Sequence, residues 1–275
     1  MTETTAIEEP EMKHAMQYGE PIIEISHLKK SFGDNHVLTD FNLTVRRGEN
    51  VVILGKSGCG KSVLIKCIVG LLEYDEGSIK VFGNEIETLS QHELDELRAK
   101  IGFVFQSSAL YDSMTVKENL EFPLRRHKRT NFKQDVREII EEALANVGLS
   151  HAINLMPSEL SGGMRKRIGL ARSLVLNPEI MLYDEPTTGL DPITAKEIST
   201  LMLDMQGKYN TSSIIISHDL YCSKLVGNRL VAMIDGINYA EGNFEDLQKS
   251  SDEKVRAFFE YEYLRDSSGG NRNKK

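Results

Sequence analysis

Gly55-Lys56-Ser57-Gly58-Cys59-Gly60-Lys61-Ser62 sets glycines, a lysine and a hydroxyl at the fixed positions of a phosphate-binding loop. Glycines let the backbone curl so that successive N–H groups face a phosphate, and the N-terminus of a following helix adds partial positive charge. In this pattern Lys61 reaches the β- and γ-phosphates of a nucleotide, and the Ser62 hydroxyl is a hard oxygen ligand for Mg²⁺. A glycine turn before a core helix is the plain alternative, and chance would produce the four fixed positions in about one chain in a hundred of this length. About 120 residues later, Ile180-Met181-Leu182-Tyr183-Asp184-Glu185 delivers two carboxylates at the end of an apolar run. Open α/β sheets bind ligands at such strand ends. Asp184 is placed to hold Mg²⁺ through a water, and Glu185 can orient and deprotonate a water attacking the γ-phosphate.

These groups need a scaffold, and the flanking patterns supply one. IIEISHL, VLTDFNLTV, VVILG and SIKVFG, between Pro21 and Ile86, are β-rich runs punctuated by Gly48, Gly77 and Gly83-Asn84. Ser62 to Leu72 is apolar on nearly every side, as a helix buried beneath a sheet would be. Val136 to Val147 repeats apolar residues with a helical period and stops at Gly148. Arg165 to Leu176 predicts another helix, ended by Asn177-Pro178, and the near-continuous apolar runs IMLY and SIIIS predict central strands of a parallel sheet. Leu230 to Ala240 has the two-residue Asp235-Gly236 turn of a hairpin. Asp246 to Tyr263 predicts one closing helix, followed by a polar tail.

The 275 residues, 40% hydrophobic and 27% charged, suffice for one large domain or two small lobes. The net charge of -8 argues against nucleic acid as the main partner, since that affinity comes from clustered Lys and Arg. Residues 1–20 carry five Glu and one Lys and are expected to be a disordered acidic arm. No basic, apolar leader and no stretch of roughly 20 apolar residues is present, which predicts a cytosolic chain unless something tethers it. Cys59, Cys67 and Cys222 lack metal-ligand spacing and are expected to be reduced thiols.

Between the two motifs lies Leu160-Ser161-Gly162-Gly163-Met164, and with it the chain resembles the ATP-binding subunits of ABC transporters. Small residues before a helix can present N–H groups and the Ser161 hydroxyl to a phosphate. By the resemblance, that phosphate is on ATP held by the opposite subunit, so Ser161, Gly162 and Gly163 complete a neighbour's site. Two ATP molecules would then lie between two ATP-binding subunits, in the simplest case two copies of this chain. The resemblance also makes Gln106 the glutamine that reaches Mg²⁺ or the water and connects to a membrane partner. It makes Asp191, in Gly189-Leu190-Asp191, part of the loop crossing the dimer interface, His218 the histidine contacting the γ-phosphate, and Phe32 the ring against adenine. Taken alone, His218 and Phe32 would more often be structural. The resemblance spans about residues 22–242.

It implies an α/β P-loop ATPase core sheet with an antiparallel β subdomain and a helical subdomain. Residues 21–245 are expected to form this ATPase domain, with the helical part at roughly 98–170 and a C-terminal helix and disordered tail over 246–275. The stretch 107–116, LSGGMRKR and LYDEPTTGLDPI are similar to the Mla-type subgroup, which moves phospholipids. Met164 stands where most ABC proteins have Gln, and SDEKVRAFF over 251–259 resembles the subgroup's tail, which packs on its own domain or on the neighbour. The implied setting is peripheral, on the cytoplasmic face of the inner membrane, with an integral permease and a lipid-binding component as partners. The basic cluster 125–129 fits a solvated loop, or a contact with headgroups or permease. A transporter for another substrate, or an ABC protein outside transport, remain alternatives.

Overall fold

The computed structural model describes residues 18–127 and 136–259. The chain opens with strands β1 (Pro21–Phe32), β2 (Asn35–Arg46) and β3 (Asn50–Leu54), helix α1 (Lys61–Ile68), and strands β4 (Glu76–Val81) and β5 (Asn84–Glu85). Next come α2 (Gln91–Arg98), β6 (Ile101–Val104), α3 (Val116–Arg126), α4 (Val136–Asn146), α5 (Gly162–Leu174) and β7 (Ile180–Asp184). It continues through α6 (Pro192–Tyr209), β8 (Ser212–Ser217), α7 (Leu220–Val226), β9 (Arg229–Ile234), β10 (Ile237–Gly242) and α8 (Phe244–Gln248).

Two sheets result: an antiparallel one of order β2-β1-β4-β5, and a larger one of order β10-β9-β3-β8-β7-β6. In the larger sheet β9, β3, β8, β7 and β6 run parallel, with β10 antiparallel at the edge. Its central strands β3, β8 and β7 are buried along almost their whole length, with apolar residues in succession, because both faces are covered. Val51, Ile53, Leu182, Ile214 and Ile216 point toward α1 and the smaller sheet, joining Leu64, Ile65 and Phe41 in one core. Val52, Leu54, Met181, Tyr183 and Ile215 alternate to the other face and join Ile168, Leu170, Ile198 and Met202 of α5 and α6. Each fully buried aliphatic side chain contributes about 1.5–3 kcal/mol by leaving water.

The Asp235-Gly236 hairpin forms as expected, with both residues at positive φ, as a type I′ turn requires. Helix α4 buries Ile140, Ala143 and Leu144 and gives way at Gly148, whose φ is +69°. The helix expected over 62–72 is shorter, ending at Ile68. There the Lys66 carbonyl accepts from Leu71 and Leu72, and Arg98 donates to the carbonyls of Val69 and Gly70. Two further boundaries move. Residues 101–104, counted with the helical part, instead pair with β7 as the edge strand β6 of the larger sheet. The closing helix predicted from 246 is broken: α8 ends at Gln248 and helix resumes at Glu253 after Asp252, whose carboxylate accepts from the backbone N–H of Lys254 and Val255. Residues 1–17 of the acidic arm, Lys128 and Arg129 of the basic cluster, and 260–275 of the tail lie outside the described residues. Arg125 and Arg126 close α3 rather than lying in a loop.

Candidate functional site

Residues 55–60 join β3 to α1, which opens with Lys61 and Ser62 at the C-terminal end of the parallel strands. Gly60 takes φ +105°, and a Cβ there would stand 2.7 Å from Val37 Cγ1, so both conformation and space demand glycine. Lys61 is 7% exposed, and its Nζ donates to the carbonyls of Gly55 at 2.6 Å and Lys56 at 3.0 Å, bracing the loop. Ser62 Oγ donates to Asp184 Oδ1 at 3.1 Å, so the hydroxyl and carboxylate proposed for Mg²⁺ meet across the β3 and β7 strand ends. Among the described residues no group of three or more His, Cys, Asp and Glu could hold a metal alone. One carboxylate and one hydroxyl, with waters and phosphates completing the shell, is the donor set Mg²⁺ accepts.

Glu185 follows β7 at φ +51°, a left-handed conformation that costs a non-glycine residue energy and that the surrounding structure must enforce. Its N–H donates to the Ile216 carbonyl at 3.0 Å, anchoring it to β8. Glu185 Oε2 lies 2.6 Å from His218 Nδ1 and accepts from Thr188 Oγ1 at 3.1 Å, and Oε1 lies 4.0 Å from Lys61 Nζ. Burial alone would raise the Glu185 pKa, but the His218 hydrogen bond, the His218 and Lys61 charges and Thr188 outweigh it and hold the carboxyl below its ordinary value. An ionised carboxylate only accepts, so His218 Nδ1 carries the proton in this pair. Asp184 is shifted oppositely: burial leads, and the nearby Glu185 charge adds to it, against the Ser62 hydrogen bond and the Lys66 and Lys61 charges.

Ser161, Gly162, Gly163 and Asp191 lie elsewhere. They line an open cleft of about 590 Å³ together with Gly189, Leu190 and Thr194, and none of residues 55–62 reaches it. Ser161 caps α5, its Oγ accepting from the Met164 N–H at 3.2 Å, which leaves the hydroxyl proton to donate outward. Asp191 caps α6, accepting from Ile193 N, Thr194 N and Thr194 Oγ1, and these bonds, Thr194 Oγ1 first, lower its pKa. One chain thus carries two separate clusters: a glycine loop with two carboxylates at the sheet end, and a helix N-terminus at an open cleft. The family model described as ABC transporter matches residues 38–188.

The chain belongs to the ABC transporter family. It is 40% identical over 236 residues to a probable ribonucleotide transport ATP-binding protein of Mycobacterium tuberculosis, covering 86% of this chain and 66% of the relative's length. It is 38% identical over 242 residues to the intermembrane phospholipid transport system ATP-binding protein MlaF of Haemophilus influenzae, covering 88% of this chain and 91% of that one. Among solved structures, an ATP-binding cassette captured as a dimer in a post-hydrolysis state with ADP and Pi superposes with TM-score 0.73 at 31% identity, covering 81% of this chain and 98% of that one.

In this ABC chain, Phe32 is 49% exposed at the tip of the β1–β2 hairpin, not in the core, and Val37 of that hairpin abuts Gly60. The Gln106 side chain is exposed, and no hydrogen bond joins it to Ser62, Asp184 or Glu185; its carbonyl is the part held in place, by Lys166. Met164 packs, partly buried, against the core that lies under α5 and α6. Sequence reasoning missed Thr188, which fixes Glu185 Oε2, and Thr187, whose hydroxyl donates to Asp219 at 3.2 Å. Both stand in the quoted LYDEPTTGLDPI, and a hydroxyl three residues after a carboxylate in a turn was the available signal.

Proposed function

We propose that this chain is the ATP-binding and ATP-hydrolysing subunit of an ABC transporter, acting as a homodimer to energise phospholipid movement through a separate permease. The observation that carries the dimer is the division of the site residues. Lys61, Ser62, Asp184, Glu185 and His218 converge at one sheet end, whereas Ser161 to Gly163 and Asp191 face a cleft that excludes the phosphate loop. Two chains facing each other would bring the halves together over each ATP. The similar cassette solved as a dimer with ADP and Pi supports the dimer.

In the proposed cycle the loop N–H groups and Lys61 bind the phosphates, and Ser62 and Asp184 would hold Mg²⁺. Bound Mg²⁺ supplies neutralisation of charge on the β- and γ-phosphates. Ser161 Oγ–H and the N–H groups of Gly162 and Gly163 bind the partner's γ-phosphate, and Asp191 lies beside them in the same cleft. Phe32 offers its exposed ring to adenine, and Gln106 would approach the water or Mg²⁺ as its loop moves. Glu185 orients the attacking water. When His218 turns from Glu185 toward the γ-phosphate, the hydrogen bond that lowers the Glu185 pKa is lost, and Glu185 becomes a better proton acceptor as hydrolysis requires.

The opposite shifts of the two carboxylates set an order on acidification. Asp184, held above the ordinary value, takes up its proton before Glu185, which is held below it. The Mg²⁺ concentration giving half-maximal turnover is therefore expected to rise as pH is lowered, before the maximal rate falls. A maximal rate that falls first would reverse the order.

The lipid part of the proposal rests on similarity to the Haemophilus subunit over nearly its whole length. A transporter for another substrate is the second reading, favoured by the name of the mycobacterial relative. No helix among the described residues is long and apolar enough to cross a membrane, so the permease would be another chain. The proposed place is the cytoplasmic face of the inner membrane, with a lipid-binding component in the assembly. Purifying the chain from its native membranes in mild detergent tests this: an integral permease carrying phospholipid is expected. A permease without lipid would favour the second reading, and recovery with ribosomes or soluble proteins alone would remove the transporter assignment.

A further inference from the structure

Helix α5 begins at the signature but does most of its polar work further along, on the loop that carries Gln106. Lys166, Gly169 and Arg172, three residues apart, share one helix face. Lys166 is 7% exposed, and its Nζ donates to the Gln106 carbonyl at 2.5 Å and, more weakly, to the Glu185 carbonyl at 3.4 Å. At Gly169 the helix approaches Ser108 so closely that a Cβ would stand 3.1 Å from the Ser108 Cβ. Arg172 Nη1 and Nη2 donate to the carbonyls of Ala109 at 2.7 Å and Ser108 at 3.1 Å. Ser108 and Ala109 have φ of +64° and +45°, so the loop is held in a shape its residues would not choose unaided.

A buried ammonium needs partners, and here the backbone supplies them from two segments that are separate in sequence. Burial lowers the Lys166 pKa, against the charges of Glu185 and Asp184, so the ammonium senses both carboxylates. Arg172 holds the rim of the loop, whereas among the described residues Lys166 is the one whose side chain bridges the Gln106 and Glu185 carbonyls.

We propose, resting on the ATPase reading given above, that Lys166 is a positioning residue that couples the two halves of the site. Through it, phosphate engagement at Ser161 to Gly163, on the same helix, fixes the backbone of Gln106 and Glu185, which serve the chain's own nucleotide. Because the signature of each chain faces the partner's ATP, Lys166 relays the state of one nucleotide site to the hydrolytic groups of the other. The path of the coupling is helix α5 with the direct hydrogen bonds of Lys166, and the element with two arrangements is the Gln106 loop that those bonds hold.

The test uses the full chain with Lys166→Met, which removes the charge and keeps most of the alkyl length, and Lys166→Arg, which keeps the charge. In the Met variant, backbone amide exchange over residues 106–111 is expected to accelerate about tenfold, and kcat to fall about ten- to a hundredfold, the range of a charge-assisted hydrogen bond. KM for ATP should stay within about twofold, and Lys166→Arg should restore both exchange and kcat. Unchanged exchange and kcat in the Met variant would overturn the proposal. So would a loss of kcat matched by a general loss of thermal stability that Arg does not rescue. If the Met variant does not fold, Lys166→Gln, an uncharged donor, provides the same comparison. A wild-type chain that releases no phosphate from ATP would sink the ATPase reading instead, and the exchange comparison would still decide whether Lys166 clamps the loop.

Discussion

Glu185→Gln is expected to reduce ATP turnover by about a hundred- to ten-thousandfold while leaving ATP affinity within about threefold of wild type. Glutamine is nearly isosteric, and its amide oxygen can still accept from His218 and Thr188, which meet Glu185 Oε2 at 2.6 and 3.1 Å. What it cannot do is take a proton from water. Removing a negative charge 4.0 Å from Lys61 Nζ also makes the site more welcoming to a triphosphate. Since hydrolysis would separate the two chains, the variant should accumulate as an ATP-bound dimer, visible by light scattering with ATP and absent with ADP. Phosphate release at the wild-type rate would remove Glu185 from the chemistry. A monomeric variant with ATP would remove the shared site.

Lys61→Met acts on the opposite step and separates binding from turnover. The Lys61 ammonium is nearly enclosed and braced by the Gly55 and Lys56 carbonyls, so it lies within the loop proposed to bind the phosphates, not at its rim. Its loss should weaken ATP about a hundredfold, as expected when a charge-assisted contact in an enclosed site is removed. Methionine fills most of the vacated volume, and the thermal midpoint should move little by comparison. Titration with a fluorescent ATP analogue gives the affinity. An affinity within about threefold of wild type would show that Lys61 serves the loop and not the nucleotide.

The contrast between these substitutions was legible in the sequence because their chemistry is local. Lys61 and Ser62 sit at fixed spacing after an apolar run, and Asp184 and Glu185 end another, so strand and motif point to the same place. Other features depend on tertiary contacts that no local pattern encodes. The β6 strand is only four residues long and owes its place to pairing with β7, which is why it reads as part of the helical segment. The tail breaks between Gln248 and Glu253 because Asp252 caps a new helix, a competition that apolar periodicity does not register. Helix α6 was missed although Asp191-Pro192 is a good start signal, a capping carboxylate followed by proline at the first helical position. Lys166 was unreadable for a different reason: a lysine in a basic stretch is ordinarily solvated, and its burial is evident only once the Gln106 loop has folded over it.

The strand order β3-β8-β7 places Lys61, His218 and Glu185 after three consecutive parallel strands. Neighbouring strands lie about 4.8 Å apart whatever side chains they carry. The hydrogen-bond ladder thus acts as a ruler for the groups proposed to hydrolyse ATP, graduated by the peptide backbone and indifferent to the details of core packing. Substitutions that thin the core while preserving the ladder would change how many molecules are folded, not how fast each folded molecule works. Descendants of this chain can therefore drift widely in their apolar interior and keep one and the same spacing of reactive atoms.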